Sequence, residues 1–227
     1  MSINKKLVLE DIKKIPGLLF AFLFCAYGIA QMKNLNIGMH SWATLNLGIT
    51  NITDLKFGFI SQLVGLTIIL ISLLLKIYPG IGTLLNMYFI GLFIDIIDKY
   101  HLTLVPENYF LKFFLLFLGL GIFSYGIYSY LHYELGAGPR DGLMIGLVKT
   151  TKISVKYIKP SIELTVLIIG VLLGGTVGLG TIIVTFSGGY ILDLMFKWKK
   201  FNPKETNQRK ITDYFIIDKE VEDAENH

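Results

Sequence analysis

Apolar residues in this chain gather in long runs, and polar residues are left to short joints between the runs and to the two ends. Six runs can be drawn, over residues 15–32, 57–75, 81–97, 109–131, 158–173 and 179–196. Several approach the roughly 17–25 residues that a helix needs to cross a hydrocarbon core. The fifth opens with Lys159, Pro160 and Glu163. A proline is tolerated there, because a first-turn amide has no helical partner to lose. The pattern predicts an all-α membrane protein with six transmembrane helices filling residues 15–196. Residues 1–14 form a charged N-terminal segment. Residues 197–227 turn basic, as in Lys197-Trp198-Lys199-Lys200, then mixed and acidic, and are expected to stay mostly disordered because they are too polar to bury.

Composition supports a lipid solvent. Hydrophobic residues make up 53% and charged residues 17% of the 227, against about 45–50% and about 25% in soluble domains. Mean hydropathy is +0.59. The net charge of +4 matters less than its distribution. With the N-terminus inside and six spans threaded, 17 of the 21 lysines and arginines fall on the inner side. Lys33, Lys56, Lys99 and Lys112 fall outside. The positive-inside rule then places both termini in the cytoplasm. Cys25 is the only cysteine, so no internal disulfide can form, and the scattered histidines assemble no structural zinc site. Residues 1–14 lack the short apolar core and small-residue cleavage site of a removable signal peptide.

The chain repeats itself at a fixed offset of 98 without a gap. Tyr27-Gly28-Ile29 falls on Tyr125-Gly126-Ile127, and Gly38, Leu45 and Gly48 fall on Gly136, Leu143 and Gly146. Gly80-Ile81-Gly82-Thr83 falls on Gly178-Leu179-Gly180-Thr181, and Gly91 with Asp95 falls on Gly189 with Asp193. Shared hydrophobicity does not explain matching glycines, threonines and an aspartate. The copies cover about 17–97 and 115–195. Each holds three spans, an odd number, so the second must enter the membrane from the opposite side. Two inverted three-helix repeats are therefore expected, a construction of many secondary transporters whose sites lie where the repeats meet. A duplicated scaffold without transport would read the same way.

Between the first two spans of each copy lies a stretch too short and too polar to cross. Gly38–Thr50 carries His40, Ser41, Thr44 and Asn46; Gly136–Val148 carries Pro139, Arg140 and Asp141. Either each forms a short re-entrant helix, which survives only against protein or a water-filled cavity, or each lies flat at the interface. A re-entrant helix aims free N–H groups and its positive dipole end inward, which suits an anionic group. Pro139 fits the first turn of one such helix, and Ser41 fits the cap of the other. The candidate solute-binding residues are thus Arg140, Asp141, Gly138, Gly136, Ser41 and Trp42. Trp42 also reads, with Trp198, Tyr100, Tyr109 and Tyr190, as an interfacial aromatic.

Asp95 and Asp193 sit among apolar residues near the ends of the third and sixth spans, where a carboxylate is costly and usually faces the bundle interior. They and Glu163 are the candidates for proton or cation coupling; the plain alternative is snorkelling or bonding to a neighbour. Glu163, in the first turn of the fifth span, suits the helix dipole and is also a candidate partner for Arg140. The Gly-x-Gly-Thr pairs opening the third and sixth spans suit close helix packing and lack the lysine of a nucleotide-binding loop. No nucleophile–base–acid set can be assembled from His40, His101, His132 and His227, which argues against an enzyme.

The run Leu135-Gly136-Ala137-Gly138-Pro139-Arg140-Asp141-Gly142-Leu143-Met144, together with Gly174-Gly175-Thr176-Val177-Gly178-Leu179-Gly180-Thr181, resembles the YczE-type family of bacterial integral membrane proteins, related to the YitT group. Gly38–Gly48 with Trp42 also resembles that pattern, although His40-Ser41 stands where proline is common. The resemblance spans about 16–196 and implies a bacterial cytoplasmic membrane protein, without supplying a substrate or site residues. The expectation from the chain is a multi-pass, small-solute permease or secondary transporter for an anionic or polar solute. The alternative is a non-transporting membrane scaffold whose basic segment and tail dock a cytoplasmic partner or anionic lipid. The expected partners are the lipid bilayer and an unknown small solute, with a homo-oligomer left open and no nucleic acid. No cofactor and no metal are expected.

Overall fold

Asn4 starts the first helix, its side-chain oxygen accepting the Leu7 N–H at 3.2 Å. That cap supplies a partner for one of the four first-turn amides that a helix leaves unpaired. The computed structural model describes residues 2–153, 155–202 and 205–216. In chain order the helices are α1 (Lys5–Asn34), α2 (Ser41–Thr53), α3 (Phe57–Leu74), α4 (Ile81–Lys99), α5 (Tyr109–His132), α6 (Pro139–Thr151), α7 (Val155–Leu172) and α8 (Leu179–Trp198). A two-residue antiparallel pair joins β1 (Ser2–Ile3) to β2 (Phe215–Ile216). Five helices, α1, α3, α4, α5 and α8, are long and apolar enough to cross a membrane. Helix α7 matches α3 in length, at 18 residues each, but carries Lys159 and Glu163.

The first helix differs from the expectation at its start. It begins at Lys5, well before residue 15, and runs through Pro16. The charged segment is thus a helical extension, held by contacts with the far end of the chain. Arg209 and Tyr214 both donate hydrogen bonds to Asp11 Oδ2, the tyrosine at 2.6 Å, and Lys14 approaches Asp11 Oδ1 at 3.1 Å. Burial, followed by the Asp11 carboxylate, pushes the Tyr214 phenol up to about 12, so it remains a neutral donor. Residues 205–216 of the expected disordered tail are therefore docked; residues 217–227 lie outside the described residues. At the opposite end Lys33 pairs with Asp98. Asn34 bonds both Asp98, at 3.0 Å, and Thr103, at 2.9 Å.

Helix bounds follow the 98-residue offset. Helix α6 starts and stops 98 residues after α2, and α7 does so after α3. Left-handed backbone recurs at the same step, at Asn36 and Glu134 and again at Asp54 and Lys152. The contacts exchange between copies. Gly28 on α1 abuts Gly119 and Phe123 on α5, while Gly126 on α5 abuts Ala21 and Cys25 on α1. Those pairs run in opposite directions along the two helices, so α1 and α5 cross antiparallel, backbone close to backbone where small residues allow it. Leu18, Phe22 and Tyr130 fill one end of this seam; Met32, Leu115 and Leu116 fill the other. The short helices exchange partners too, α2 lying on α7 and α6 on α3.

The copies are not equivalent everywhere. Helix α4 lies along α3, with Gly58 against Gly91. Among the described residues α8 packs on α5 without lying along α7.

Candidate functional site

The site forms where the two short helices begin. Each is preceded by a glycine with left-handed backbone, Gly38 at φ +109° and Gly136 at φ +119°. An L side chain is strained there. A Cβ at Gly38 would also run into Thr181, and one at Gly136 into Thr83. The Gly-x-Gly-Thr motif of each copy thus cradles the glycine turn of the other. Gly82 N–H donates to Leu135 C=O at 2.6 Å, and Gly180 N–H donates to Ile37 C=O at 2.7 Å. Thr83 Oγ1 adds a 2.6 Å bond to Ala137 C=O. These motifs do more than let helices approach: they fix where α2 and α6 start.

Pro139 occupies the first turn of α6 behind Gly138, as the sequence predicts. The cap of α2 is a correction. His40, not Ser41, is the N-cap, its Nδ1 accepting the Ala43 N–H at 3.3 Å. Ser41 is instead the first helical residue and is buried. His40 stacks on Phe123, and its Nε2 is buried without a hydrogen-bond partner among the described residues. The first two turns of α2 are enclosed, with Trp42, Thr44 and Asn46 all buried. Trp42 therefore belongs to the interior rather than to an interfacial belt. Trp198, Tyr100, Tyr109 and Tyr190 are exposed.

Trp42 links the charges. The Arg140 guanidinium lies 5.1 Å from the Trp42 ring centroid, and Trp42 Nε1 donates to Glu163 Oε1 at 3.2 Å. The expected direct pair between Arg140 and Glu163 is replaced by this relay. Among the described residues Arg140 has no carboxylate within ion-pair distance, while the Trp42 indole touches both Arg140 and Glu163. Its cation instead rests on the negative face of the ring, a contact worth about 0.5–2 kcal/mol. Glu163 and Asp141 remain the acidic groups whose charge acts on it. Around Gly138 gather the Tyr130 hydroxyl, the Asn86 amide oxygen and the Asp141 carboxylate, at 3.3, 3.8 and 3.9 Å from where a Cβ would stand. His40, Tyr130 and Asn86 were not singled out as site residues by sequence reasoning. An amide inside the apolar run 81–97 was the available signal for Asn86.

Asp95 and Asp193 are not brought to this cluster. Asp95 Oδ1 accepts the Gly58 N–H at 2.7 Å. It thereby caps α3, whose own N-cap residue, Lys56, gives no side-chain bond. Asp193 pairs with Lys197 at 2.7 Å on an exposed stretch of α8. The two repeat-related aspartates thus differ because α4 lies along α3 and α8 does not lie along α7.

Several long apolar helices around a buried polar cluster define a membrane protein. Within that class the chain belongs to the family of unknown function DUF6198, whose pattern matches residues 12–197. It is 35% identical over 180 residues to a protein of Haemophilus influenzae described as an uncharacterized protein, covering 79% of this chain and 82% of the relative. It is 31% identical over 174 residues to the uncharacterized membrane protein YczE of Bacillus subtilis, covering 75% and 79%. The YczE-type resemblance read from the glycine motifs is borne out. No solved structure matches the chain.

Proposed function

We propose that the protein is a small-solute permease or secondary transporter of the bacterial cytoplasmic membrane, built from six spans as two inverted repeats. The supporting observation is the meeting of the two short-helix starts around Arg140, Trp42 and Glu163, with His40 Nε2 buried and unpaired among the described residues. Two helix N-termini, a guanidinium and an imidazole form an environment for an anionic or polar solute. Antiparallel packing of α1 on α5, with contacts that exchange between copies, supports inversion. The unequal packing of the two copies, α4 lying along α3 but α8 not along α7, supports alternation, since two equivalent halves held in different arrangements can trade places. Of the three coupling candidates Glu163 is the one that contacts the cluster, and it takes that role ahead of Asp95 and Asp193. Both termini then lie in the cytoplasm, as the lysine and arginine distribution favours.

The test is flux of labelled monocarboxylates, dicarboxylates and phosphate into proteoliposomes. Protein-dependent flux of at least one of them is expected, falling about tenfold or more in Arg140→Ala, as loss of a charge-assisted contact predicts. Flux equal to that of protein-free vesicles for every solute sinks the proposal, and flux unchanged in Arg140→Ala removes Arg140 from it. The alternative of a docking scaffold draws on the anchored segment 205–216, which presents the tail from a fixed point. Deleting residues 217–227 alone, which keeps the Asp11 and Gly136 attachments, leaves transport intact under the first reading and abolishes partner docking under the second.

A further inference from the structure

A cavity of about 140 Å³ lies beside the start of α6, between the end of α3, the α3–α4 joint and residues 208–210 of the tail. Its volume is several times the roughly 30 Å³ share of one water. Its lining includes Ser72, Lys76, Gly142 and Lys210, along with residues around Gly136, and counts three basic residues and no acidic one.

Two of those bases lack an ion-pair partner among the described residues. Arg209 is occupied by Asp11. Among the described residues neither Lys76 nor Lys210 has a carboxylate within ion-pair distance, and both are exposed. Ser72 points to a ligand independently. It is 5% exposed, and its Oγ is buried with no hydrogen-bond partner. Its hydroxyl does not make the i−4 carbonyl bond that Thr67 makes to Leu63 in the same helix. The hydroxyl is thus uncommitted among the described residues, and a buried hydroxyl without a partner is costly.

The tail forms the remaining wall and is itself tied down. Gln208 Oε1 accepts the Gly136 N–H at 3.1 Å, while Gln208 Nε2 donates to Leu131 C=O at 3.0 Å. Arg209 N–H donates to Glu134 C=O at 3.0 Å, and Ile211 N–H to Pro79 C=O at 2.9 Å. Four attachments hold the four-residue strap 208–211 across the turn that opens α6.

We propose that this cavity is a second binding site, distinct from the Arg140 cluster, and that it takes a phosphate-type anion. The Ser72 hydroxyl donates to one oxygen, the Lys76 and Lys210 ammonium groups neutralise the charge, and the strap closes the site. A free phosphate and the phosphate of a lipid headgroup share this chemistry.

The experiment titrates inorganic phosphate into the full chain in neutral detergent micelles at constant ionic strength and follows the unfolding temperature. Phosphate is expected to raise it beyond the chloride control. In the double variant Lys76→Gln, Lys210→Gln the apparent affinity falls about tenfold, with the phosphate-free unfolding temperature unchanged. Ser72→Ala weakens the response, whereas Lys5→Gln with Lys6→Gln, and Arg140→Gln, retain it. Phosphatidylglycerol and phosphatidylcholine nanodiscs distinguish the sources. A response lost only in the phosphatidylglycerol discs identifies a lipid headgroup, and an equal response in both identifies free phosphate. No phosphate response in micelles or phosphatidylcholine discs, or an undiminished one in the double lysine variant, overturns the site. Failure of solute flux in proteoliposomes leaves it standing, because Arg140 is not part of it.

Discussion

Trp42 carries two duties at once, a face for Arg140 and an N–H for Glu163. The substitutions Trp42→Phe and Trp42→Ala separate them. Phenylalanine keeps a ring beneath the guanidinium but leaves Glu163 without its donor, a loss of about 1.5–3 kcal/mol for a hydrogen bond to a charged group. Alanine also removes the packing against Ile68 and Val166, for a total of about 3–5 kcal/mol. Denaturation in mixed micelles should therefore rank wild type above Phe and Phe above Ala. A Trp42→Phe protein as stable as wild type would show that the bond to Glu163 contributes nothing. The sequence named Trp42, Arg140 and Glu163 as candidates but paired the last two directly. Only the fold reveals that an aromatic ring from the other repeat lies between them.

At the scale of elements, the repeat-related aspartates give the sharpest contrast. Asp95 reaches across from α4 to accept the Gly58 N–H of α3, so Asp95→Ala removes a helix cap. The expected cost is about 1–2 kcal/mol. Asp193 makes an exposed i,i+4 pair with Lys197, and Asp193→Ala is expected to cost about 0.5 kcal/mol or less. Asp95→Asn retains an acceptor oxygen and recovers part of the loss. Equal destabilisation by both alanine substitutions would contradict the difference in packing between α3–α4 and α7–α8. The identical residue at an identical repeat position could not announce this. Its role depends on whether a neighbouring helix start lies within reach, which is a matter of packing rather than of local sequence.

For the whole molecule, inversion is the property on which the permease reading stands. Cys25 is buried, so it gives little background to thiol reagents. Single cysteines at Asp54 and Lys152, which end α2 and α6, occupy equivalent places in the two copies. Inversion predicts that a membrane-impermeant maleimide labels Asp54→Cys from the outside of intact cells and Lys152→Cys only after the inside is opened. Labelling of both from one side would refute inverted repeats.

The sequence by itself determined the helices and their repetition. Long apolar runs need only lipid and their own backbone hydrogen bonds to become helices, and a gapless offset carries local structure with it. Hence α6 and α7 begin and end 98 residues after α2 and α3. The tertiary structure decided what each polar residue among them touches. Gly80-Ile81-Gly82-Thr83 holds the turn at Gly136 of the other copy rather than the one at Gly38 of its own, and His40 instead of Ser41 caps α2. Arg209 and Tyr214 reach back to Asp11, 198 and 203 positions away. Such contacts join residues far apart in the chain, and composition and periodicity contain no distance between them.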